Sequence, residues 1–318
     1  MQRVSISILL LFALAATANA QSSRAATASS YLERGNQWLK KGEIEKAIED
    51  YSFAITFDPQ LDQAYFNRGI ARERKGDHEG ALGDYNKTLQ LNPRNVEAYL
   101  NRGALFIGQE KYGAAIQDFD QAIALNSRDV RAWINRAIAH HYARNYAAAF
   151  DDYSRAISLE SRDAGAWAGR CEVRMLRKEL DGALGDCQQA LKIDSRNIAA
   201  LNTRGNIWVR KGDAMRALAD FNQAIALAPQ QAYLLCSRSQ VWLAVETPKR
   251  ALEDLNLAVQ LDPQLAEAWC KRGFVHLSLN RLEAAEGDFT RCRELDGQLQ
   301  AEAERLLREI RRRRNAKQ

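Results

Sequence analysis

Hydrophobic and small residues recur along the chain at the spacing of one face of an α-helix. Tyr65, Gly69 and Arg72 stand at i, i+4 and i+7, which is the period of a helix that packs along one side. Gly76 is suited to end that helix, because glycine adopts the left-handed conformation common at helix C-termini. Asp77 follows and can cap the N-terminus of a second helix. The pattern therefore predicts two short helices joined by a tight turn.

The second helix keeps the same spacing. Ala81, Tyr85 and Thr88 fall on one face, and Pro93 prevents the helix from continuing because proline lacks the backbone N–H that a helix interior needs. No segment of the chain shows the alternation of polar and apolar residues that is typical of a strand. We therefore predict an all-α protein built from helix hairpins.

The hairpin pattern repeats every 34 residues. The stretch Ala64-Tyr-Phe-Asn-Arg-Gly69 returns as Ala98-Tyr-Leu-Asn-Arg-Gly103 and then as Ala132-Trp-Ile-Asn-Arg-Ala137. Eight in-phase copies fill residues 28–299 and leave a short linker, 21–27, before them and a charged segment, 300–318, after them. Positions within a repeat are numbered from its first residue and are called places. The repeats begin at Ala28, Asp62, Val96, Val130, Ala164, Ile198, Ala232 and Ala266.

These copies resemble the tetratricopeptide repeat. That family has a large aromatic residue, a small residue four later and an aromatic three later, followed by alanine, an aromatic, alanine and proline. The first repeat matches with Tyr31, Gly35, Trp38, Ala47, Tyr51, Ala54 and Pro59. The resemblance implies a right-handed superhelical solenoid of eight helix-turn-helix repeats, with a concave face lined by first helices and a C-terminal capping helix over 300–314. Departures from the pattern are Ala137, Cys171 and Ser239 for the small glycine, and Ser127, Ser161, Ser195 and Gly297 for the proline.

Two places carry the same charged residue in all eight repeats. Place 7 is always arginine, where the family usually has leucine, and place 23 is always aspartate. In an antiparallel hairpin these places lie at nearly the same level, which predicts a ladder of charge-assisted pairs within or between repeats. The alternative is a row of arginines that binds an anionic ligand. The predicted pairs are Arg34 with Asp50, Arg68 with Asp84, Arg102 with Asp118, Arg136 with Asp152, Arg170 with Asp186, Arg204 with Asp220, Arg238 with Asp254 and Arg272 with Asp288.

Four of the five cysteines also lie level with one another across a hairpin. Cys171 and Cys187 occupy places 8 and 24 of one repeat, and Cys270 and Cys292 occupy places 5 and 27 of another. Both pairs are candidates for disulfide bonds, which an exported protein would permit. Buried free thiols that pack as small apolar groups are the alternative. Cys236 is left without a counterpart.

The two ends of the chain differ from the repeats. Arg3, an apolar run and Ala18-Asn19-Ala20 are typical of a cleaved signal peptide over 1–20, which predicts a periplasmic or secreted protein with bacterial export favoured. The net charge is +5, of which the segment 300–318 carries +4 and Arg3 one more, so the rest of the chain is neutral. Binding to an anionic or membrane surface, or to a polyanion, through Arg311–Arg314 is therefore an alternative function.

The inner face is where the resemblance implies partner binding, through places 2, 5, 6, 9, 12 and 13 of each first helix. An asparagine both donates and accepts, so a row of them can bind an extended peptide backbone of any sequence. A solvated helix surface is the alternative. The asparagines on this face are Asn36, Asn67, Asn101, Asn135, Asn202 and Asn206, and the residues expected to form apolar pockets are Phe66, Ile70, Leu100, Ile134, Ile138, Tyr142, Met175 and Tyr233.

The sequence contains no catalytic constellation. It lacks H-E-x-x-H, a phosphate-binding glycine loop and a nucleophile elbow, and its four histidines are scattered. The six tryptophans fall at places 4 and 11, which predicts hairpin core. We therefore expect a non-enzymatic scaffold without cofactor or metal that binds a protein or extended peptide. A nucleic acid is not favoured as partner, and the sequence leaves the oligomeric state open.

Overall fold

The computed structural model describes residues 23–296 and 300–315, and every regular element in those ranges is an α-helix. The predicted signal peptide, 1–20, lies outside them. The first helices of the repeats are α1 (23–41), α3 (Asp62–Lys75), α5 (Val96–Gly108), α7 (Val130–Tyr142), α9 (Ala164–Leu176), α11 (Ile198–Arg210), α13 (Ala232–Ala244) and α15 (Ala266–Ser278). The second helices are α2 (Ile44–Phe57), α4 (His78–Leu91), α6 (Tyr112–Leu125), α8 (Tyr146–Leu159), α10 (Leu180–Ile193), α12 (Ala214–Leu227), α14 (Pro248–Leu261) and α16 (Leu282–Leu295), and α17 (Gln300–Asn315) follows.

The start of α1 differs from the sequence prediction. The helix begins at residue 23, so most of the segment 21–27 is helical rather than a linker. Ala25, Ala26 and Ala28 explain the extension, because alanine has the highest intrinsic preference for the helix interior.

The turn within the second repeat forms as the sequence predicts. Gly76 adopts a left-handed conformation with φ of 86°, and its N–H donates to the carbonyl oxygens of Arg72 and Glu73. The Asp77 side chain accepts from the N–H of Gly80 at 2.9 Å and so caps α4. Five other turns place a residue with a side chain in the same left-handed region, at a cost of roughly 1–2 kcal/mol each. These residues are Glu110, Arg144, Lys178, Glu246 and Asn280.

In five hairpins the core depends on a glycine opposite a large ring. A Cβ atom added at Gly69 would lie 2.7 Å from Cε1 of the fully buried Tyr85, so only glycine lets the ring lie against this helix. Gly103 has the same relation to Phe119, and Gly205 to Phe221. The small residue therefore sets how closely the two helices approach.

The fifth repeat fills this position with a disulfide instead. Cys171 and Cys187 are bonded, with Cα atoms 5.4 Å apart, and both are fully buried. Cys270 and Cys292 form a second bond, with Cα atoms 5.3 Å apart. Cys236 is free and buried, and burial raises the pKa of its thiol to about 12. The structure thus joins both cysteine pairs that the sequence suggested.

The described residues divide into two compact parts, one up to residue 148 and one from residue 149, and each has its own hydrophobic clusters. In the first part Tyr51 and Ala54 of α2 pack against Ala64 and Ala71 of α3, so consecutive hairpins bury one another's apolar faces. The second part ends with α17. Its residues Leu306, Leu307 and Ile310 are buried against Ala285 and Phe289 of α16, which covers the apolar face of the last repeat.

Seven of the arginines at place 7 pair with the aspartates at place 23 of their own repeats. Arg102, for example, donates from Nε and Nη2 to the two carboxylate oxygens of Asp118 at 2.8 and 2.5 Å. These hydrogen bonds raise the pKa of Arg102, and Asp118 is only 4% exposed. The same bidentate contact, from Nε and Nη2 to the two carboxylate oxygens, forms in the pairs Arg34–Asp50, Arg68–Asp84, Arg170–Asp186, Arg204–Asp220, Arg238–Asp254 and Arg272–Asp288.

The same arginines also reach the preceding repeat, through a partner that the sequence analysis did not identify. Nη1 of Arg102 donates to Oδ1 of Asn86 at 2.7 Å, and Asn86 lies at place 25 of the repeat before it. The guanidinium of Arg102 thus ties its own hairpin to the previous one. The equivalent contacts are Arg68 with Ser52, Arg136 with Asp120, Arg170 with Ser154, Arg238 with Asn222 and Arg272 with Asn256.

Aromatic residues at place 4 cover these arginines. The guanidinium carbon lies 4.7 Å from the ring centroid of the aromatic residue in both Arg170–Trp167 and Arg272–Trp269, a cation–π arrangement. The indole N–H of Trp269 donates to the carbonyl of Pro263 at 3.0 Å. All six tryptophans are half-buried. The prediction that they belong to the hairpin core is therefore only partly right, because each keeps an edge at the surface.

We predict that Arg102→Ala lowers the free energy of unfolding by about 3–5 kcal/mol, because Asp118 would stay buried without its counter-ion. Arg34→Ala is the matched control. Asp50 is as buried as Asp118, but Arg34 is 55% exposed against 20% for Arg102, so its removal opens Asp50 to solvent and the loss should be smaller. Urea denaturation followed by circular dichroism measures both changes. Equal losses in the two variants would contradict the structural role of the buried pairs.

We also predict that the protein carries both disulfides when it is produced in an oxidising compartment. After denaturation without reductant, an alkylating reagent should modify one cysteine, Cys236, and after reduction it should modify all five. Mass spectrometry of the intact protein counts the modified residues. Five modified cysteines before reduction would show that the bonds Cys171–Cys187 and Cys270–Cys292 do not form.

Candidate functional site

A polar cavity opens on the first helices of the last four repeats, in the part 149–318. It has a volume of about 360 Å³, and all its lining residues lie on α9, α11, α13 and α15 at places 2, 5, 6, 9, 12 and 13. These are the places expected to face a partner. The sequence analysis named four of the lining residues: Met175, Asn202, Asn206 and Tyr233.

The other lining residues escaped the sequence analysis because they are of different chemical types. The sequence prediction named only asparagines and apolar residues. The remaining lining residues occupy the same places of the repeat and could have been predicted from those places alone. The additional residues are Val209, Arg210, Ser237, Gln240, Glu267 and Lys271. The cavity is therefore richer in charged groups than the sequence prediction suggested.

The charged groups of this cavity pair with one another or donate to backbone carbonyl oxygens. Lys271 pairs with Glu267 at 2.6 Å and also donates to the carbonyl of Cys236 at 3.4 Å. Arg210 donates to the carbonyl of Met175 at 3.2 Å. Burial, with a smaller contribution from Glu172, raises the pKa of Tyr233, so its phenol stays protonated. The site thus offers both hydrogen-bond donors and acceptors without a strong net charge.

Asn202 differs from its neighbours because its side-chain oxygen is buried without a hydrogen bond to any residue that the structure describes. An unpaired buried acceptor costs free energy that a bound N–H group would recover. The amides of Asn206 and Gln240 line the same cavity. These three side chains can together satisfy the N–H and C=O groups of an extended backbone.

The asparagines of the first two repeats are bound within the protein, in contrast to the expectation that they face a partner freely. Oδ1 of Asn36 accepts from the hydroxyl of Tyr51 at 2.9 Å and from Nδ2 of Asn67 at 2.8 Å. Tyr51 is fully buried, and burial raises its pKa to about 12. Asn36 therefore satisfies a core hydroxyl, which the sequence alone did not indicate, and Asn67 donates to the same oxygen of Asn36.

The third asparagine of this row makes a similar but longer contact. Nδ2 of Asn101 donates to the hydroxyl of Tyr85 at 3.4 Å, and that hydroxyl donates to Glu73 at 2.8 Å. The carbonyl oxygens of Asn67 and Asn101 make no hydrogen bond within the described part of the chain. Asn135, the next copy of this place, is half-buried.

The apolar residues expected on this face differ in accessibility. Leu100 is 4% exposed and belongs to a core cluster, so its assignment to a pocket is wrong. Phe66 and Ile70 are half-buried against Tyr85, and Ile134 and Ile138 are half-buried as well. Met175 is buried although it borders the polar cavity. Tyr142 and Tyr233 are the exposed ones, and Tyr142 stacks on Tyr112 with ring centroids 5.8 Å apart.

Within residues 23–296 and 300–315 there is no group of three or more histidine, cysteine or acidic side chains that could hold a metal ion. The same ranges contain no helix that is long and apolar enough to cross a membrane.

Family models match a part of the chain, within residues 35–164. Two matches to a TPR repeat model cover residues 35–76 and 74–109, and a tetratricopeptide repeat model matches residues 100–164. No curated protein matches the sequence.

Several solved structures share the fold. A tetratricopeptide repeat protein from Parabacteroides merdae has a TM-score of 0.68 at 19% identity, over 79% of this chain and 99% of its own. A chain of the APC/C hetero-tetramer Cut9–Hcn1 gives 0.67 at 16% identity, over 88% of this chain and 55% of its own. Yeast Tom70 gives 0.62 at 18% identity, over 85% and 61%. This chain thus spans little more than half of the last two, and the likeness is one of fold.

We predict that Asn36→Ala and Asn202→Ala differ in their effect on stability. Asn36→Ala should lower the free energy of unfolding by about 1–3 kcal/mol, because the buried Tyr51 hydroxyl and the Asn67 amide lose their acceptor. Asn202→Ala should change stability little, because its carbonyl oxygen has no bond to lose. Thermal and urea unfolding of the two variants measure the difference. A larger loss for Asn202→Ala would contradict the assignment of these two side chains.

Proposed function

Because the chain is a tetratricopeptide repeat protein, we propose that it is a non-enzymatic scaffold that binds an extended segment of a partner protein on the inner-face places of its first helices. Tetratricopeptide repeats support protein–protein interaction, and stacked repeats in general present extended binding surfaces. The proposal adds where the partner binds and which of its groups are recognised.

The polar cavity of repeats five to eight is the observation that carries this proposal. Asn202 presents a buried acceptor without a donor, and Asn206 and Gln240 add further amides to the same space. Amide side chains bind main-chain groups whatever the sequence of the segment, so recognition should be broad. Tyr233 is partly exposed at the border of the cavity and can pack against one side chain of the partner.

We propose further that the protein acts in the periplasm or outside the cell. The leader-like segment 1–20 supports this location. The bonded pairs Cys171–Cys187 and Cys270–Cys292 support it as well, because disulfides persist in oxidising compartments.

We predict that replacing Asn202, Asn206 and Gln240 together with alanine weakens peptide binding about ten- to a thousandfold, since each lost hydrogen bond contributes about 0.5–1.5 kcal/mol. The probes are unstructured peptides selected on the wild-type protein from a displayed random library. Calorimetry gives the affinities, and circular dichroism checks the fold. The control replaces three exposed amides on second helices, Gln121, Gln189 and Gln260, and should leave the affinity unchanged.

Truncation after Ile310 separates this function from the alternative, binding of polyanions or anionic surfaces through Arg311–Arg314. The truncation keeps the buried residues of α17 and removes the arginine cluster. Peptide affinity should be nearly intact at physiological salt. If the triple alanine variant binds normally and the truncation abolishes binding, the groove is not the binding site. Binding through the tail should also fall steeply as salt rises.

A further inference from the structure

Arg204 has an Nη1 donor without a partner among the described residues, whereas six equivalent arginines donate from this atom to the preceding repeat. Its Nε and Nη2 atoms bind Asp220 at 2.9 and 2.6 Å, as in the other pairs. Its Nη1 atom, however, makes no hydrogen bond to any residue that the structure describes. Elsewhere this atom donates to place 25 of the preceding repeat, for example from Arg238 to Asn222 at 2.7 Å.

Two substitutions in the sequence account for the difference. Place 25 of the preceding repeat is Gln188, which is one methylene longer than the asparagines at this place and is exposed. Place 4 is Leu201, which is buried, so no aromatic ring covers the guanidinium of Arg204. A cavity of about 390 Å³ opens here in consequence. It is lined by Gln188, Arg204, Trp208, Arg216, Ala219 and Asp220.

A second arginine faces the same cavity with unused donors. Arg216 lies over the ring of Trp208 at 4.6 Å, and its Nε atom is 3.1 Å from Asp213. Its two Nη atoms donate no hydrogen bond within the described residues. The carboxylate of Asp220 already accepts from two donors of Arg204, so the charge that this pair leaves uncompensated in the cavity is that of Arg216, whose side chain is 64% exposed.

We propose that this cavity is a binding site for a side-chain oxyanion, either a carboxylate or a phosphate monoester. Two guanidinium groups with free N–H donors match the geometry of such a group. The amide of Gln188 can add a donor, since it is not bonded to Arg204. The site lies at places 7, 11, 19, 22, 23 and 25, away from the inner-face places, so it is independent of the proposed peptide groove.

The test uses Gln188→Asn, because an asparagine at this place accepts from Nη1 in other repeats and would occupy the free donor. Inorganic phosphate and acetate are titrated separately into the full-length protein at constant ionic strength, with chloride as the balancing salt. The indole N–H signal of Trp208 is followed by NMR and assigned with Trp208→Phe. Both anions should shift this signal in a saturable manner. Tighter binding of phosphate would assign the site to phosphorylated side chains, and equal or weaker binding to carboxylates.

Gln188→Asn and Arg216→Gln should each weaken anion binding at least about tenfold, because each removes charged donors from the site. The matched control, Asn222→Gln, makes the reverse exchange beside Arg238 and should leave the Trp208 response unchanged. The amide spectrum of each variant verifies its fold. An absent or non-saturable response in the wild type, or unchanged affinity in both Gln188→Asn and Arg216→Gln, would overturn the proposal.

Discussion

A buried arginine–aspartate pair between the two helices of a hairpin is the interaction on which the arrangement of the repeats depends. In the pair Arg102–Asp118, two parallel hydrogen bonds fix both the separation of the helices and the level at which they meet. Such a pair adds little net stability, because desolvation of the charges offsets much of their attraction. Its contribution is instead to register, since similar helices could otherwise pair out of phase.

The guanidinium at place 7 also links neighbouring hairpins. Arg68 binds Asp84 within its repeat and Ser52 in the preceding one. Asn67, the residue next to it, faces the other way and contacts Asn36 on the first helix of the preceding repeat. The residue at place 7 thus pairs with the second helix and with the preceding repeat, whereas the residue at place 6 contacts the preceding first helix. Where the linking contact is missing, at Arg204, a cavity replaces it.

The sequence predicted those features that repetition encodes, and it missed those that depend on detailed side-chain geometry. The hairpins and the pairing of place 7 with place 23 follow from an exact period. The acceptors at place 25 vary in type, as Ser52, Asn86 and Asp120 show, so no constant residue revealed them. The bond from Tyr51 to Asn36 was missed because a tyrosine assigned to the core was treated as an apolar ring, although its hydroxyl needs an acceptor.

A double-mutant cycle on Arg102 and Asp118 tests the central claim most directly. The free energies of unfolding of Arg102→Leu, Asp118→Leu and the double variant are compared with that of the wild type. If the pair acts as one unit, each single variant leaves an unpaired charge and the double variant recovers part of the loss. The coupling energy should then be about 1.5–3 kcal/mol. Additive losses, with coupling below about 0.5 kcal/mol, would contradict the account.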